Sequence, residues 1–166
     1  PRDAVEHVEK LGDRHVGATP GRGGAVVEGV PVFDSVVEAV QATGAEASVF
    51  FVPARSVKDT VFETLEAGIG LVVVVTEHVL VHDTMEMRAE AKKIGATLLG
   101  PTTPGILTVG EAKVGIIPGH ITMPGNIGIV SRSGTPPQSS YYLLYEGPIG
   151  YLDGAIQDIK YPSLKA

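Results

Sequence analysis

Between residues 14 and 101 the chain alternates two hydrophobic patterns. Short runs with few polar interruptions occur at RHVGAT (Arg14–Thr19), ASVFFVPA (Ala47–Ala54), GLVVVVTE (Gly70–Glu77) and ATLLGP (Ala96–Pro101). Their length and β-branched content predict buried strands. Segments with helical spacing separate them: VFDSVVEAVQATG closing at Gly44, SVKDTVFETLEAG, and HDTMEMRAEAKKIG from about His82. DAVEHVEKLGD (Asp3–Asp13) is a further predicted helix, with Gly12 just past its end. Ser56, with Asp59 three residues on, reads as a near capping box for the second of the middle helices.

Strands alternating with helices of this length form βαβ units, whose strands run parallel. Uninterrupted runs such as Leu71–Val75 suit a sheet covered on both faces. The pattern predicts a Rossmann-like α/β domain whose parallel strands include Val16–Thr19, Val49–Val52, Leu71–Thr76 and Thr97–Leu99. From Gly100 the texture changes, with four prolines and six glycines in the 27 residues 100–126, predicting a loop and a short hairpin. IGIVSRSGT (Ile127–Thr135) resembles a fresh strand with a Ser/Gly turn, so the expected division is a first domain over residues 1–124 and the start of a second α/β domain over 125–166. No periodicity is legible beyond Thr135.

Composition narrows the function. A net charge of −6 argues against nucleic acid or an anionic membrane as partner. The chain has no cysteine, which excludes disulfides, thiolate metal sites and cysteine nucleophiles. No apolar run approaches the roughly 20 residues of a membrane span, and the N-terminal residues carry no signal-peptide pattern; a cytoplasmic location is expected.

Ligands of open parallel sheets bind beyond the carboxyl ends of the strands, where the loops TPGRGG (Thr19–Gly24), VPARS and VTEH (Val75–His78) should lie. A glycine-rich loop can bring backbone N–H groups to an anion, and Arg22 adds a permanent, planar cation suited to phosphate. The alternative is a plain turn with a solvated arginine, since neither GxGxxG nor a P-loop is present. Glu77 can accept hydroxyl or amide donors, or be merely a strand-end acid. His78 and His82 stand four apart, but polar residues at a helix start account for them better than a metal, and no metal site is expected.

Six segments, VGATPGRGG, GVPVFDSVVEAVQATGAEASVFFVPA, VTEHVLVHDTM, GPTTPGI, KVGIIPGHI and GIVSRSGT, together resemble the α subunit of succinyl-CoA synthetase, the NDP-forming succinate–CoA ligase. The likeness runs in order over roughly four-fifths of the chain, residues 4 to 135. It implies coenzyme A (CoA) as substrate, with Arg22, where the family usually has lysine, and Val75, Thr76 and Glu77 as CoA contacts. It also implies a β-type partner subunit carrying the Mg-nucleotide, and a small carboxylic acid activated through a phosphohistidine. Malate or citrate relatives fall within the same class. Ser131, Ser133, Gly134 and Thr135 of SRSGT are implied as a loop for the carboxylate or phosphohistidine, against the plainer reading of a strand-to-helix turn.

The departures from the family are specific. Its first strand and G-x-T-G-x-x-G phosphate turn precede the first helix, whereas this sequence begins at that helix, so a gap in the middle of the sheet, or an outside segment filling it, is expected. GPNCPG is GPTTPG here, and after SRSGT the family's LTYEA is replaced by Pro136-Pro137-Gln138. The phosphorylated histidine of a GHAGA context has no counterpart, and none of His7, His15, His78, His82 or His120 replaces it. No catalytic residue is therefore expected in these 166 residues, which alone should be inactive. A stand-alone, non-catalytic CoA-binding module is the competing reading.

Overall fold

The computed structural model of the protein describes residues 15–119, 122, 127–131 and 149–153. The first predicted helix, Asp3–Asp13, lies outside them. Ten strands and three helices are described: β1 Gly17–Ala18, β2 Val26–Val27, β3 Val30–Phe33, α1 Val36–Thr43, β4 Ala47–Phe50, α2 Ala54–Glu66, β5 Leu71–Val74, α3 Val81–Ile94, β6 Thr97–Leu99, β7 Gly105–Thr108, β8 Ala112–Gly115, β9 Ile127–Ser131 and β10 Ile149–Asp153.

Strands β4, β5 and β6 form one parallel sheet in that order, with Val49 opposite Val73 and Val72 opposite Leu98. The period of two in β5 divides its valines between two cores. Val72 and Val74 pack with Val57, Val61 and Leu65 of α2 and Met87 and Ala91 of α3. Val73 turns the other way, onto Leu99 and onto Val114 of β8. The sheet is thus covered on both faces as the sequence predicts, by helices on one and by the β7–β8 hairpin on the other. The fold is α/β and Rossmann-like.

Strand β1 stands apart from β4–β6 among the described residues, where the sequence reading expects a gap in the sheet. It is parallel, but its partner is β3, with Gly17 opposite Val32 and Ala18 opposite Phe33, and β2 completes a separate sheet in the order β1–β3–β2. No ladder joins β1 to β4 among the described residues. Helix α1 packs against β1 and β3 and also against α2, and the Val36 N–H donates to Glu63 Oε1 of α2 at 3.0 Å. Through α1 the two sheets are held together.

Two helix starts differ from the sequence reading. VFDS does not begin a helix: Val32 and Phe33 finish β3, Ser35 caps α1 by accepting from the Glu38 N–H, and Glu38 in return accepts from the Asp34 N–H at 3.2 Å. The β2–β3 hairpin escaped the pattern because both strands are so short; Glu28 and Gly29 at its tip are both left-handed, with φ of 51° and 82°, the geometry of a two-residue hairpin turn. Ser56 is not a cap either. Helix α2 starts at Ala54 after Pro53, whose φ of −57° already suits a helix start, and the Ser56 N–H donates to the Pro53 carbonyl within the first turn. Both C-terminal glycines, Gly44 and Gly95, close their helices in the left-handed conformation.

The predicted hairpin after Gly100 is β7–β8. Strand β10, illegible in the sequence, runs antiparallel to β7 and parallel to β9, giving the order β8–β7–β10–β9. Strands on either side of the expected 124/125 division therefore share one ladder. Between α2 and α3, Lys58 lies 3.5 Å from Asp83 and 2.5 Å from Glu86. The hydrogen bond to Glu86 raises the Lys58 pKa above the ordinary lysine value, with Asp83 adding to it against some desolvation. Among the described residues no helix is long and apolar enough to cross a membrane.

Candidate functional site

The TPGRGG loop follows β1 and consists of two consecutive turns. The Arg22 N–H donates to the Thr19 carbonyl at 3.1 Å, with Pro20 and Gly21 between them. Proline then glycine at φ 76° is a type II turn, whose third position requires the left-handed region. The Ala25 N–H donates to the Arg22 carbonyl at 3.2 Å, and Gly24 at φ 81° plays the same part in the second turn. Arg22 is the last residue of the first turn and the first of the second. This explains why one cation stands among three glycines: the turns present a single exposed side chain at their junction.

Most backbone N–H groups of the loop are already bonded within the protein. The N–H groups of Thr19, Arg22, Gly24 and Ala25 bond to main-chain carbonyls, and that of Gly23 to the Asp34 carboxylate at 2.7 Å. Three of these donors reach β3 and the residue after it, while the Arg22 guanidinium is exposed and has no hydrogen bond or ion pair among the described residues.

The second loop follows β5. Val75 and Thr76 are half-buried, and Glu77 and His78 are exposed. Thr76 is where three loops meet: its hydroxyl donates to the Val52 carbonyl after β4 at 2.7 Å, and its carbonyl accepts from the Thr102 N–H after β6 at 3.1 Å. Its polar groups hold the loops together, which leaves Glu77 as the acid presented outward. Thr76→Val should therefore strand the Val52 carbonyl and cost about 1 kcal/mol of stability, at the low end for a part-buried acceptor left unpaired. Urea unfolding of the two proteins checks this, and equal midpoints would count against the junction.

His78, at φ 61°, is left-handed and lies before α3 begins at Val81. The helical spacing with His82 therefore does not bring the two imidazoles onto one helix face. Glu77 Oε2 is 3.9 Å from His78 Nε2, with both side chains largely in solvent. Among the described residues no cluster of His, Cys, Asp and Glu could hold a metal ion. Ser131 ends β9, while Ser133, Gly134, Thr135 and His120 lie outside the described residues. No ladder, hydrogen bond or ion pair among the described residues joins the Arg22 loop directly to Val75–Glu77. Asp34 was not singled out by its sequence context. It reads as a residue at a helix start, and nothing local shows that it reaches back eleven positions to Gly23.

Residues 7–78 match the family model of the CoA binding domain, a span that holds Arg22, Val75, Thr76 and Glu77. A solved structure of ATP citrate lyase from Methanothrix soehngenii, in complex with citrate and coenzyme A, superposes with a TM-score of 0.68 at 27% identity, covering 75% of this chain and 22% of that one. The fold and the family match together make this a protein with a Rossmann-like CoA-binding domain. Over most of its residues the chain is, more particularly, a sequence relative of the α subunits of ADP-forming succinate–CoA ligases. It is 54% identical over 119 residues to α subunit 2 from Archaeoglobus fulgidus, covering 72% of this chain and 42% of that relative. It is 52% identical over 136 residues to the α subunit from Aquifex aeolicus, covering 81% of this chain and 45% of the relative. The chain thus spans less than half the length of these relatives.

Proposed function

We propose that the chain is the CoA-binding part of an acyl-CoA synthetase of the succinate–CoA ligase type, working in the cytoplasm with a nucleotide-binding β-type subunit. The observation that carries the reading is the double turn that isolates Arg22 inside the matched CoA-binding span. The guanidinium pairs with a CoA phosphate, and Val75–Glu77 line the path of the same ligand, with the Glu77 carboxylate accepting from its hydroxyl or amide groups.

The reaction joins succinate and CoA as succinyl-CoA while a nucleoside triphosphate becomes diphosphate and phosphate. A phosphorylated histidine converts the acid to its acyl phosphate. The CoA thiol then attacks the acyl carbon, the C–O bond to phosphate breaks, and the thiol proton leaves with solvent. This chain contributes position: a thiol held beside the acyl phosphate reacts as an intramolecular nucleophile. Succinate is preferred over citrate because the relatives named for succinate are 54% and 52% identical and the citrate-bound neighbour 27%. The ADP-forming relatives favour ATP on the partner subunit. Ser131, Ser133, Gly134 and Thr135 are assigned to the acid or phosphohistidine loop.

Calorimetry with CoA tests the binding, and labelled ATP with a β-type subunit tests the chemistry. The expected result is CoA binding and no acid-labile phosphohistidine on these 166 residues, which contain no GHAGA histidine. Label on this chain would mean that one of its five histidines is the phosphate carrier. CoA binding by a longer parent that stays unlabelled with its partner would favour a non-catalytic module.

A further inference from the structure

We propose that Asp34 is a positioning residue for the Arg22 contact with CoA, an inference that rests on the CoA reading of this site. Asp34 is exposed, at the carboxyl end of β3, and its Oδ1 accepts from the Gly23 N–H at 2.7 Å. Gly23 is the central residue next to Arg22 in the second turn, so this bond sets the backbone on the C-terminal side of Arg22. The carboxylate also fills the space that a side chain at 23 would need: a Cβ there would collide with Asp34 Oδ2 and lie 2.6 Å from its Cγ. Gly21 and Gly24 have positive φ and no atom near a built Cβ, whereas Gly23 is not left-handed. A side chain at 23 would therefore displace the Asp34 carboxylate from its bond to the Gly23 N–H, while the backbone conformation at 23 does not itself call for glycine.

Asp34 is itself held. Its N–H donates to Glu38 Oε2 at 3.2 Å, and two residues on, the Val36 N–H donates to Glu63 of α2 at 3.0 Å. Helix α2 packs on β5 through Val57, Val61 and Leu65. The Gly23–Asp34 bond therefore ties the turn that carries Arg22 to the helix layer over β5, the strand that leads into Val75–Glu77. No other polar side-chain contact made by the TPGRGG loop occurs among the described residues. A single acid, eleven residues away in sequence, keeps a solvent-exposed arginine in register with the other half of the site.

Three variants and one cycle test this, read by CoA calorimetry with thermal melts as the check on folding. Asp34→Ala should weaken CoA binding roughly tenfold, the lower end for a lost hydrogen bond to a charged acceptor, and should speed exchange of the Gly23 amide. Asp34→Asn keeps an acceptor oxygen and removes a negative charge near a polyanionic ligand, so its affinity should equal or exceed that of the parent. Gly23→Ala should weaken binding about as much as Asp34→Ala. In an Asp34→Gly background the same Gly23→Ala change should add nothing, because the atoms it meets are gone. Wild-type binding with Asp34→Ala unchanged, Asp34→Asn as weak as Asp34→Ala, or additive effects in the cycle would each overturn the role of Asp34 and leave the CoA reading standing. No CoA binding by the wild-type chain, with the Gly23 amide still protected, would overturn the CoA reading itself and with it the function given to Asp34.

Discussion

Replacing Arg22 with alanine should weaken CoA binding by about 1.5–3 kcal/mol, the range for a hydrogen bond to a charged group, or roughly 10- to 150-fold in Kd. The side chain is exposed and has no polar partner among the described residues, so the loss falls on the ligand and not on the fold. The turns themselves are held by main-chain bonds from Arg22 to Thr19 and from Ala25 to Arg22, which alanine preserves. The melting temperature should therefore stay put while affinity falls. Arg22→Lys should retain much of the binding as a point charge and lose the bidentate fork. Calorimetry at low and at moderate salt separates the charge effect from packing, because screening weakens an exposed ion contact. Equal affinity for the parent and Arg22→Ala would rule out Arg22 as a phosphate contact.

The largest stability effect is expected at Met87. Its side chain is fully buried between the helix layer and β5, packed with Val57, Val61, Val72 and Val74. Truncation to alanine removes that apolar contact and leaves a cavity, for a cost of about 2–5 kcal/mol. Met87→Leu keeps most of the volume and should cost less than about 1.5 kcal/mol. Denaturant unfolding of the three proteins gives both numbers. A loss below about 1 kcal/mol for alanine would mean that α3 does not seat on the sheet through this residue. The same helix is joined to α2 by Lys58 with Asp83 and Glu86. That link sits at the surface, where ion pairs contribute little, so the apolar contact decides the seating.

Much of the architecture could be read from hydrophobic period alone. The runs at 47–50, 71–74 and 97–99 are strands of one parallel sheet, because a strand buried on both faces has no polar alternation to hide it. Gly44 and Gly95 mark helix ends because the left-handed conformation there is open chiefly to glycine. The hairpin at 105–115 was legible from its turn residues. The readings that failed are those where a local signal had a competitor. Ser56 resembles a cap, but Pro53 starts the helix sooner. VFDS looks helical, but its first two residues pair with β1, and only a partner strand can reveal a strand of such length.

At the site, the sequence by itself determined the parts: an isolated cation between glycines, a β-branched strand ending in Val-Thr-Glu, and a family likeness that names CoA as their common ligand. Local chemistry is enough for this, since a Pro-Gly turn and a buried strand are encoded within a few residues. What only the tertiary structure decided is how each part is used. The glycine loop ties most of its N–H groups to its own turn and to β3 and Asp34 beside it, and presents the Arg22 side chain outward. Thr76 joins three loops through its own polar atoms, and Asp34 locks a turn eleven residues before it. Each of these is a hydrogen bond between segments distant in sequence, and which donor meets which acceptor is set only when strands and helices have packed.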